Sequence, residues 1–198
     1  MVKTCLYIPQ LLGNYQDGDI AYVDLNNDGV VDARDKKMLG NSYPRTVLGI
    51  DANLQYKNWG LYILGTAELG LNVWKNNAYY QNKGEGKYSV LALDRWHPEN
   101  NPNGTYPRLT TTEGENNFVN SSFWLGNGSY FRLKNVELSY TITNKKENAL
   151  AKKIKIFGRG TNLFSLSKEK DLDPELINAG INNYPVYRTL TGGVTVTF

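Results

Sequence analysis

Two long runs near the start of the sequence alternate apolar and polar residues with a period of two. In the first run the apolar residues are Leu48, Ile50, Ala52, Leu54 and Tyr56. In the second run the apolar or small residues are Trp59, Leu61, Ile63, Gly65, Ala67, Leu69 and Leu71. This period predicts two β-strands with one apolar and one polar face. Only Lys57 and Asn58 separate them, so the sequence predicts a hairpin with a tight turn.

The length of the two strands distinguishes two kinds of sheet. A strand in a soluble protein usually has about 5–6 residues, whereas a tilted strand that crosses a membrane needs about 9–11. The two runs, 46–57 and 59–71, have the greater length. The hairpin also places Tyr56 beside Trp59, as in the aromatic girdle of a membrane barrel. We therefore favour a transmembrane barrel over a soluble sandwich, in which the apolar face would pack against a second sheet.

Three later stretches repeat the pattern. In the stretch 129–143 the apolar face has Val136, Leu138, Tyr140 and Ile142, and the polar face has Asn135, Glu137, Ser139 and Thr141. In the stretch 153–166, Ile154 and Ile156 oppose Lys155, Phe157 and Arg159, and the alternation assigns no further faces. In the last stretch, 188–198, Val194, Val196 and Phe198 oppose Thr191, Thr195 and Thr197. The fold class predicted is all-β, an antiparallel up-and-down transmembrane barrel segment of about five strands, too few to close a barrel, with long loops.

Composition is compatible with such a barrel and excludes several other classes. Hydrophobic residues make up 40% of the 198 residues, and the mean hydropathy is −0.49, which is too polar for membrane-spanning helices. The 14 Tyr and 4 Trp suit the headgroup level of a membrane. The net charge of +3 comes from scattered Lys and Arg, which gives no reason to expect a nucleic-acid partner.

Catalytic chemistry has little support in the sequence. Cys5 is the single cysteine and His97 the single histidine, which removes disulfides, thiolate metal clusters and most histidine-based schemes. Carboxylate pairs such as Glu113 with Glu115 or Asp171 with Asp173 sit in ordinary polar loop sequence. We therefore do not expect an enzyme.

One loop has the spacing of an EF-hand calcium site. Oxygen donors fall at positions 1, 3, 5, 9 and 12, with a glycine at position 6 and a main-chain carbonyl at position 7. The predicted ligands are Asp24, Asn26, Asp28, Val30, Asp32 and Asp35. Gly29 permits the sharp turn, and Asp35 replaces the usual glutamate with a shorter side chain. The alternative is a turn in which these side chains cap their own backbone.

The stretch 73–128 is rich in Asn, Gly and Tyr and predicts a long loop with a short helix at 89–96. Its aromatic residues either stack on a ligand or pack the loop against itself, and packing is the favoured role. Trp96, Tyr106 and Trp124 are the candidates for contact with a substrate or a lid protein.

The order of motifs resembles the C-terminal part of a SusC/RagA-type TonB-dependent transporter of Bacteroidota. The matching segments are GDIAYVDLNNDGVVDARDKKMLGNSYP (18–44), LDRWHPENNP (93–102), YPRL (106–109), GSYFRLKNVELSYTI (128–142), GRGTNLFSLSK (158–168), DLDPEL (171–176) and the terminal TVTF. The resemblance covers residues 18–198 and leaves 1–17 as an irregular lead-in. The first residues show no sustained apolar export signal, so we expect the chain to be one piece of a longer protein.

The resemblance implies an outer-membrane protein that takes up oligosaccharides or peptides. It further implies energy from TonB through a missing N-terminal part, a SusD-like surface lipoprotein as a lid, and lipid around the barrel. Loops 19–44, 73–128 and 167–187 would be extracellular, and the turns at 57–58 and 144–152 periplasmic. The alternative function is a secreted calcium-binding β-sandwich that serves carbohydrate binding or adhesion.

Overall fold

The computed structural model describes residues 16–111, 115–144 and 150–198. Within these residues the chain forms seven strands. They are β1 (Thr46–Tyr56), β2 (Trp59–Leu69), β3 (Asn72–Trp74), β4 (Leu125–Asn127), β5 (Tyr130–Thr143), β6 (Lys153–Ser167) and β7 (Thr189–Thr197). The five long strands predicted from the sequence are confirmed as β1, β2, β5, β6 and β7, and β3 and β4 were not predicted.

The long strands form one antiparallel sheet in the order β1-β2-β5-β6-β7. Neighbours in the sheet are thus consecutive long strands, as in an up-and-down barrel. The turn between β1 and β2 places Lys57 at a φ of 53°, the left-handed value that tight hairpins require at this position. Among the described residues the sheet is open, since β1 and β7 each have one neighbour. The short strands β3 and β4 form a separate two-stranded sheet.

The register places apolar and polar residues on opposite faces of the large sheet. We call the first the apolar face, and its register positions are Leu48, Ile50, Ala52, Leu54, Tyr56, Trp59, Leu61, Ile63, Gly65, Ala67, Phe131, Leu133, Val136, Leu138, Tyr140, Ile142, Ile154, Ile156, Gly158, Gly160, Phe164, Leu166, Leu190, Gly192, Val194 and Val196. The polar face carries mainly charged residues, Asn, Gln, Ser and Thr. Its other residues are Val47, Gly49, Gly60, Tyr62, Leu64, Tyr130, Phe157 and Gly193. The faces predicted from the alternation are confirmed.

A β-bulge at Lys134 changes the alternation within β5. Leu64 of β2 pairs with Asn135, whereas the next residue, Gly65, pairs with Leu133. Lys134 is therefore the extra residue, and the side chains before it move to the opposite face. Strict alternation would place Arg132 with the apolar residues, and the bulge returns it to the polar face.

A second compact unit is formed by the described residues of segments 16–40, 73–126 and 176–183. We call its described part the loop unit, because it is built from long connections rather than from the large sheet. It contains 3₁₀ helices at Val90–Asp94, Glu115–Phe118, Ser122–Trp124 and Ile177–Asn182. The first of these confirms the short helix predicted within 89–96. No helix in the described ranges is long and apolar enough to cross a membrane.

Some predictions fall on residues outside the described ranges. Most of the lead-in 1–17, the carboxylate of Glu113 and the middle of the turn 144–152 belong to this group. The ends of that turn are described, and the amide of Asn144 donates to the carbonyl oxygen of Lys152 at 2.9 Å.

Candidate functional site

The apolar face of the large sheet is exposed. Leu48 is 50% exposed, Ile50 56% and Val194 62%. In a soluble sandwich these side chains would be buried against a second sheet. Contiguous exposed apolar surface of this extent indicates contact with an apolar environment such as lipid. Tyr56, Trp59 and Tyr140 occupy one row across three strands of this face, at the end with the tight turn.

The polar face carries a cluster of charges in the middle of the sheet. Glu137 of β5 is buried, and it accepts hydrogen bonds from Lys155 Nζ at 2.6 Å and from Arg159 Nε at 2.9 Å. The ring of Phe157 lies between these two cations along β6, with the ammonium nitrogen 5.8 Å and the guanidinium carbon 5.5 Å from its centroid. A Cβ at Gly193 would lie 2.5 Å from this ring, so only glycine lets the ring lie against β7. The cluster presents partly exposed cations on the polar face.

The bulge at Lys134 has a direct consequence for Arg132. This buried side chain pairs with Asp173 at 2.5 Å and with Glu175 at 3.3 Å. Lys134 adds a contact to Glu175 at 3.4 Å. The segment that contains these two carboxylates is thus attached to the polar face by ion pairs, which the predicted alternation alone did not reveal.

The loop unit is held by a buried polar network centred on Asp19. The carboxylate of Asp19 is 1% exposed, and it contacts Arg108 Nε at 2.7 Å and accepts from Asn117 Nδ2 at 2.7 Å. Asn117 also accepts from the amide of Ile20 at 2.8 Å, and its main-chain oxygen accepts from Trp124 Nε1 at 2.7 Å. The bonds of Asp19 thus reach residues 89 and 98 positions later in the sequence.

The three aromatic candidates are packing residues in the loop unit. Tyr106 and Trp124 are buried, and their rings meet at 6.0 Å between centroids. Trp96 lies over Gly18, where an added Cβ would come within 2.2 Å of the indole ring. The structure shows these three residues in a packing role. Contact with a substrate or a lid protein stays a prediction.

Hydroxyl groups of two tyrosines extend the polar network. Tyr106 Oη accepts from the amide of Asn82 at 2.9 Å and donates to the carbonyl oxygen of Tyr80 at 2.8 Å. Burial raises the pKa of Tyr106. Tyr22 donates to the carbonyl oxygen of Asn116, and burial raises the pKa of Tyr22 to about 12. Both hydroxyls therefore remain protonated donors at any physiological pH.

The predicted calcium loop folds as a series of turns closed by its own side chains. Asp24 accepts from the amides of Asn27 and Gly29 at 2.7 and 2.8 Å, and Gly29 has a φ of 84°. At the end of the loop Asp35 accepts from the amides of Leu25 and Asp32, both at 2.8 Å. Main-chain hydrogen bonds, that from Asp32 first, lower the pKa of Asp35.

A cation of the chain itself lies among the loop carboxylates. Arg34 contacts Asp28 at 2.6 Å and Asp32 at 2.9 Å, and its hydrogen bond lowers the pKa of Asp32. Among the described residues, no group of three or more His, Cys, Asp or Glu side chains has an arrangement that could hold a metal ion. The loop has the turn geometry of the capped alternative, and calcium binding stays a prediction.

Sequence reasoning missed Asp19, Arg108 and Asn117, the residues that organise the loop unit. Asp19 and Asn117 are 98 positions apart, so no local period could have linked them. The available signal was the presence of Asp19 and Arg108 in two short motifs, GD at 18–19 and YPRL at 106–109, and Asn117 lies in neither.

Known proteins with similar sequences are TonB-dependent receptors. A TonB-dependent receptor of Formosa agariphila is 32% identical over 96% of this chain and 20% of its own length. The TonB-dependent receptor SusC of Bacteroides thetaiotaomicron is 26% identical over 89% of this chain and 17% of its own. The chain thus spans about a fifth of the length of these relatives. No protein-family model matches the chain.

Solved structures give the same fold. The RagAB peptide importer in its closed-closed state aligns with a TM-score of 0.67 at 20% identity, over 91% of this chain and 21% of the importer chain. The RagAB peptide transporter aligns with a TM-score of 0.61 at 23% identity, over 79% of this chain and 17% of the transporter chain. The open sheet with one exposed apolar face is therefore a segment of a transporter barrel, and the chain is a homologue of the SusC/RagA-type TonB-dependent receptors.

Proposed function

We propose that the chain forms part of the wall of an outer-membrane transporter that imports oligosaccharides or peptides with energy from TonB. The observation that supports this function is the division of the large sheet into an exposed apolar face and a polar face. The apolar face contacts lipid, and the polar face lines the passage through which the substrate moves.

The polar face has the chemistry of a passage wall. Lys155 and Arg159 project from β6 around Glu137, and polar side chains of β2 and β7 flank them. Such a surface exchanges hydrogen bonds with sugar hydroxyls and with peptide groups equally well. The substrate class within this proposal is therefore oligosaccharide or peptide.

The loop unit belongs to the extracellular side in this proposal, where a SusD-like lipoprotein closes over it. Its buried network around Asp19 keeps long connections compact, and this gives a lid protein a defined surface to dock on. TonB acts from the periplasm on a part of the receptor outside this chain.

The direct test is uptake by cells from which the gene has been deleted. We expect the deletion to abolish uptake of one fluorescently labelled oligosaccharide or peptide from a panel, and a gene copy to restore it. A receptor with Leu138→Lys, which puts a charge on the apolar face, should fail to reach the outer membrane fraction. Normal uptake of the whole panel without the gene would refute the proposed transport function.

A second role, proposed for the loop 24–35, is calcium binding that braces the loop unit. It is supported by the EF-hand spacing of its oxygen donors and by the left-handed turn at Gly29. Calorimetric titration of the protein with calcium should show binding that Asp28→Ala removes and that the exposed control Asp17→Ala retains. Equal heats of calcium binding for the wild type and Asp28→Ala would refute this role.

A further inference from the structure

The apolar face has a groove near the tight-turn end of the sheet, along β5 and β6. It is shallow and open to the outside, has a volume of about 540 Å³ and is lined by Trp59, Leu138, Ser139, Tyr140, Ile156, Phe157 and Gly158. Five of these residues belong to the apolar face, and Ser139 and Phe157 lie between them along β5 and β6. Because β2 and β7 flank these strands on either side, the groove is bounded entirely by described strands.

Gly158 forms the floor of the groove, and Gly192 lies beside it on β7. Gly158 pairs with Gly192 across β6 and β7, and a Cβ built at either position meets nothing within 4 Å. The walls are large side chains, since Leu138 and Ile156 stand about half exposed on either side. At the end with the tight turn, the rings of Trp59 and Tyr140 meet edge to face at 4.9 Å between centroids. This shape suits a flexible hydrocarbon chain that lies along the sheet.

Two lysines lie at the tight-turn end of the sheet, Lys57 in the turn itself and Lys152 just before β6. Lys57 and Lys152 are exposed, and Lys57 Nζ lies 5.3 Å from the centroid of the Tyr56 ring. Lys152 precedes Ile154 by two residues and so has the register of the apolar face. Among the described residues of this end, 54–61, 138–144, 150–157 and 193–198, there is no Asp or Glu. The described side chains at this end of the sheet therefore carry only positive charge.

We propose that the groove is a binding site for an anionic phospholipid of the leaflet at the tight-turn end of the sheet. One acyl chain occupies the glycine floor between Leu138 and Ile156, and the phosphate of the headgroup lies near Lys57 and Lys152. The apolar face already contacts lipid in the proposed transporter, and the groove with its lysines converts one such contact into a specific site. This inference concerns lipid recognition and does not depend on the transported substrate.

The test is native mass spectrometry of the full-length protein in detergent with phosphatidylglycerol or phosphatidylcholine of identical acyl chains. We expect one phosphatidylglycerol to be retained preferentially. Because a lysine near a membrane surface contributes about fivefold in affinity for anionic lipid, Lys57→Gln with Lys152→Gln should reduce this preference about 25-fold or to nothing. The exposed Lys87→Gln, in the loop unit, changes the net charge but should leave the preference unchanged.

Filling the groove tests the acyl-chain contact separately. Gly158→Leu should displace the retained lipid, whereas Ala52→Leu, which enlarges another side chain of the apolar face outside the groove, should not. Equal retention of the two lipids by the wild type would overturn the proposal. Retention by both Gly158→Leu and the double lysine variant at the wild-type level would also overturn it. The surface lysine variants keep the test valid if Gly158→Leu fails to fold.

Discussion

The large sheet and the loop unit arrange polarity in opposite ways. In the sheet, Ile50 and Val194 are more than half exposed, whereas in the loop unit Asp19 and Asn117 are almost completely buried. Each arrangement would be costly in the other region. An exposed apolar face is unfavourable in water, and a buried carboxylate is unfavourable without partners.

The comparison shows that the two regions are suited to different surroundings. The sheet forms its hydrogen bonds between strands and leaves its apolar side chains to lipid. The loop unit has few long regular elements, so side chains such as Asn117 satisfy main-chain groups that strands would otherwise satisfy. The most destabilising substitutions should therefore be those that remove a buried polar group from the loop unit or place a charge on the apolar face of the sheet.

The largest effect should follow from removing the carboxylate at the centre of the loop unit. Asp19→Ala leaves Arg108 and Asn117 without their shared partner and should lower the free energy of unfolding of the loop unit by about 3–5 kcal/mol. The exposed Asp17→Ala should change it by less than about 0.5 kcal/mol. Hydrogen exchange of the loop unit in urea measures both values. Equal effects of the two substitutions would contradict the assigned network.

A charge on the apolar face should have the next largest effect. Ile50→Lys near the middle of β1 should destabilise the receptor in a bilayer by about 2–4 kcal/mol, because the ammonium group would face lipid. Asn53→Lys, on the polar face of the same strand, should be close to neutral. Unfolding by urea in phospholipid vesicles measures the stability of both variants. Equal losses of stability would mean that the two faces have the same environment.

A smaller effect should come from a single buried hydroxyl. Tyr106→Phe removes the hydrogen bonds that the hydroxyl makes with the amide of Asn82 and the carbonyl oxygen of Tyr80, and it should cost about 1–3 kcal/mol. The matched control is Tyr88→Phe, since Tyr88 is exposed and water can replace its bond to Gly84. Hydrogen exchange of Asn82 reports the local loss. An unchanged exchange rate in Tyr106→Phe would show that the bond is dispensable.

The smallest effect should appear as a pH dependence of the turn that Asp94 closes. Hydrogen bonds from Thr105, and then from Asn101, lower the pKa of Asp94. The stabilisation is complete above its ordinary value of about 3.9 and is lost as the pH falls through the lowered value. Hydrogen exchange of Thr105, corrected for intrinsic rates, should rise only in strong acid. The variant Asp94→Asn should lack this transition, and an identical transition in it would assign the effect elsewhere.

The strands were predictable because their signal is local. Leu48, Ile50 and Leu54 repeat every second residue, and the register preserves that order from β1 to β7. The face of Arg132 was not predictable, because a single extra residue, Lys134, reverses the alternation. A bulge has no sequence period and becomes visible only when the neighbouring strands are paired.

The loop unit was predictable only as a long polar connection. Its order comes from bonds such as that between Asp19 and Asn117, which are 98 positions apart. The aromatic residues were correctly expected to favour packing, but their partners lie on distant segments. The calcium loop is the intermediate case, because the spacing predicted the turn at Gly29 but Arg34 among the carboxylates was not anticipated.

The environment of the apolar face can be measured directly with spin labels on β1. In the full-length protein in lipid vesicles, with Cys5 replaced by serine, a nitroxide is placed in turn at positions 48, 50, 53 and 55. Labels that replace Leu48 and Ile50 should collide with oxygen dissolved in lipid, and labels that replace Asn53 and Gln55 should collide with a water-soluble nickel chelate. Shielding of positions 48 and 50 from both reagents would place the apolar face inside protein and contradict the transmembrane assignment.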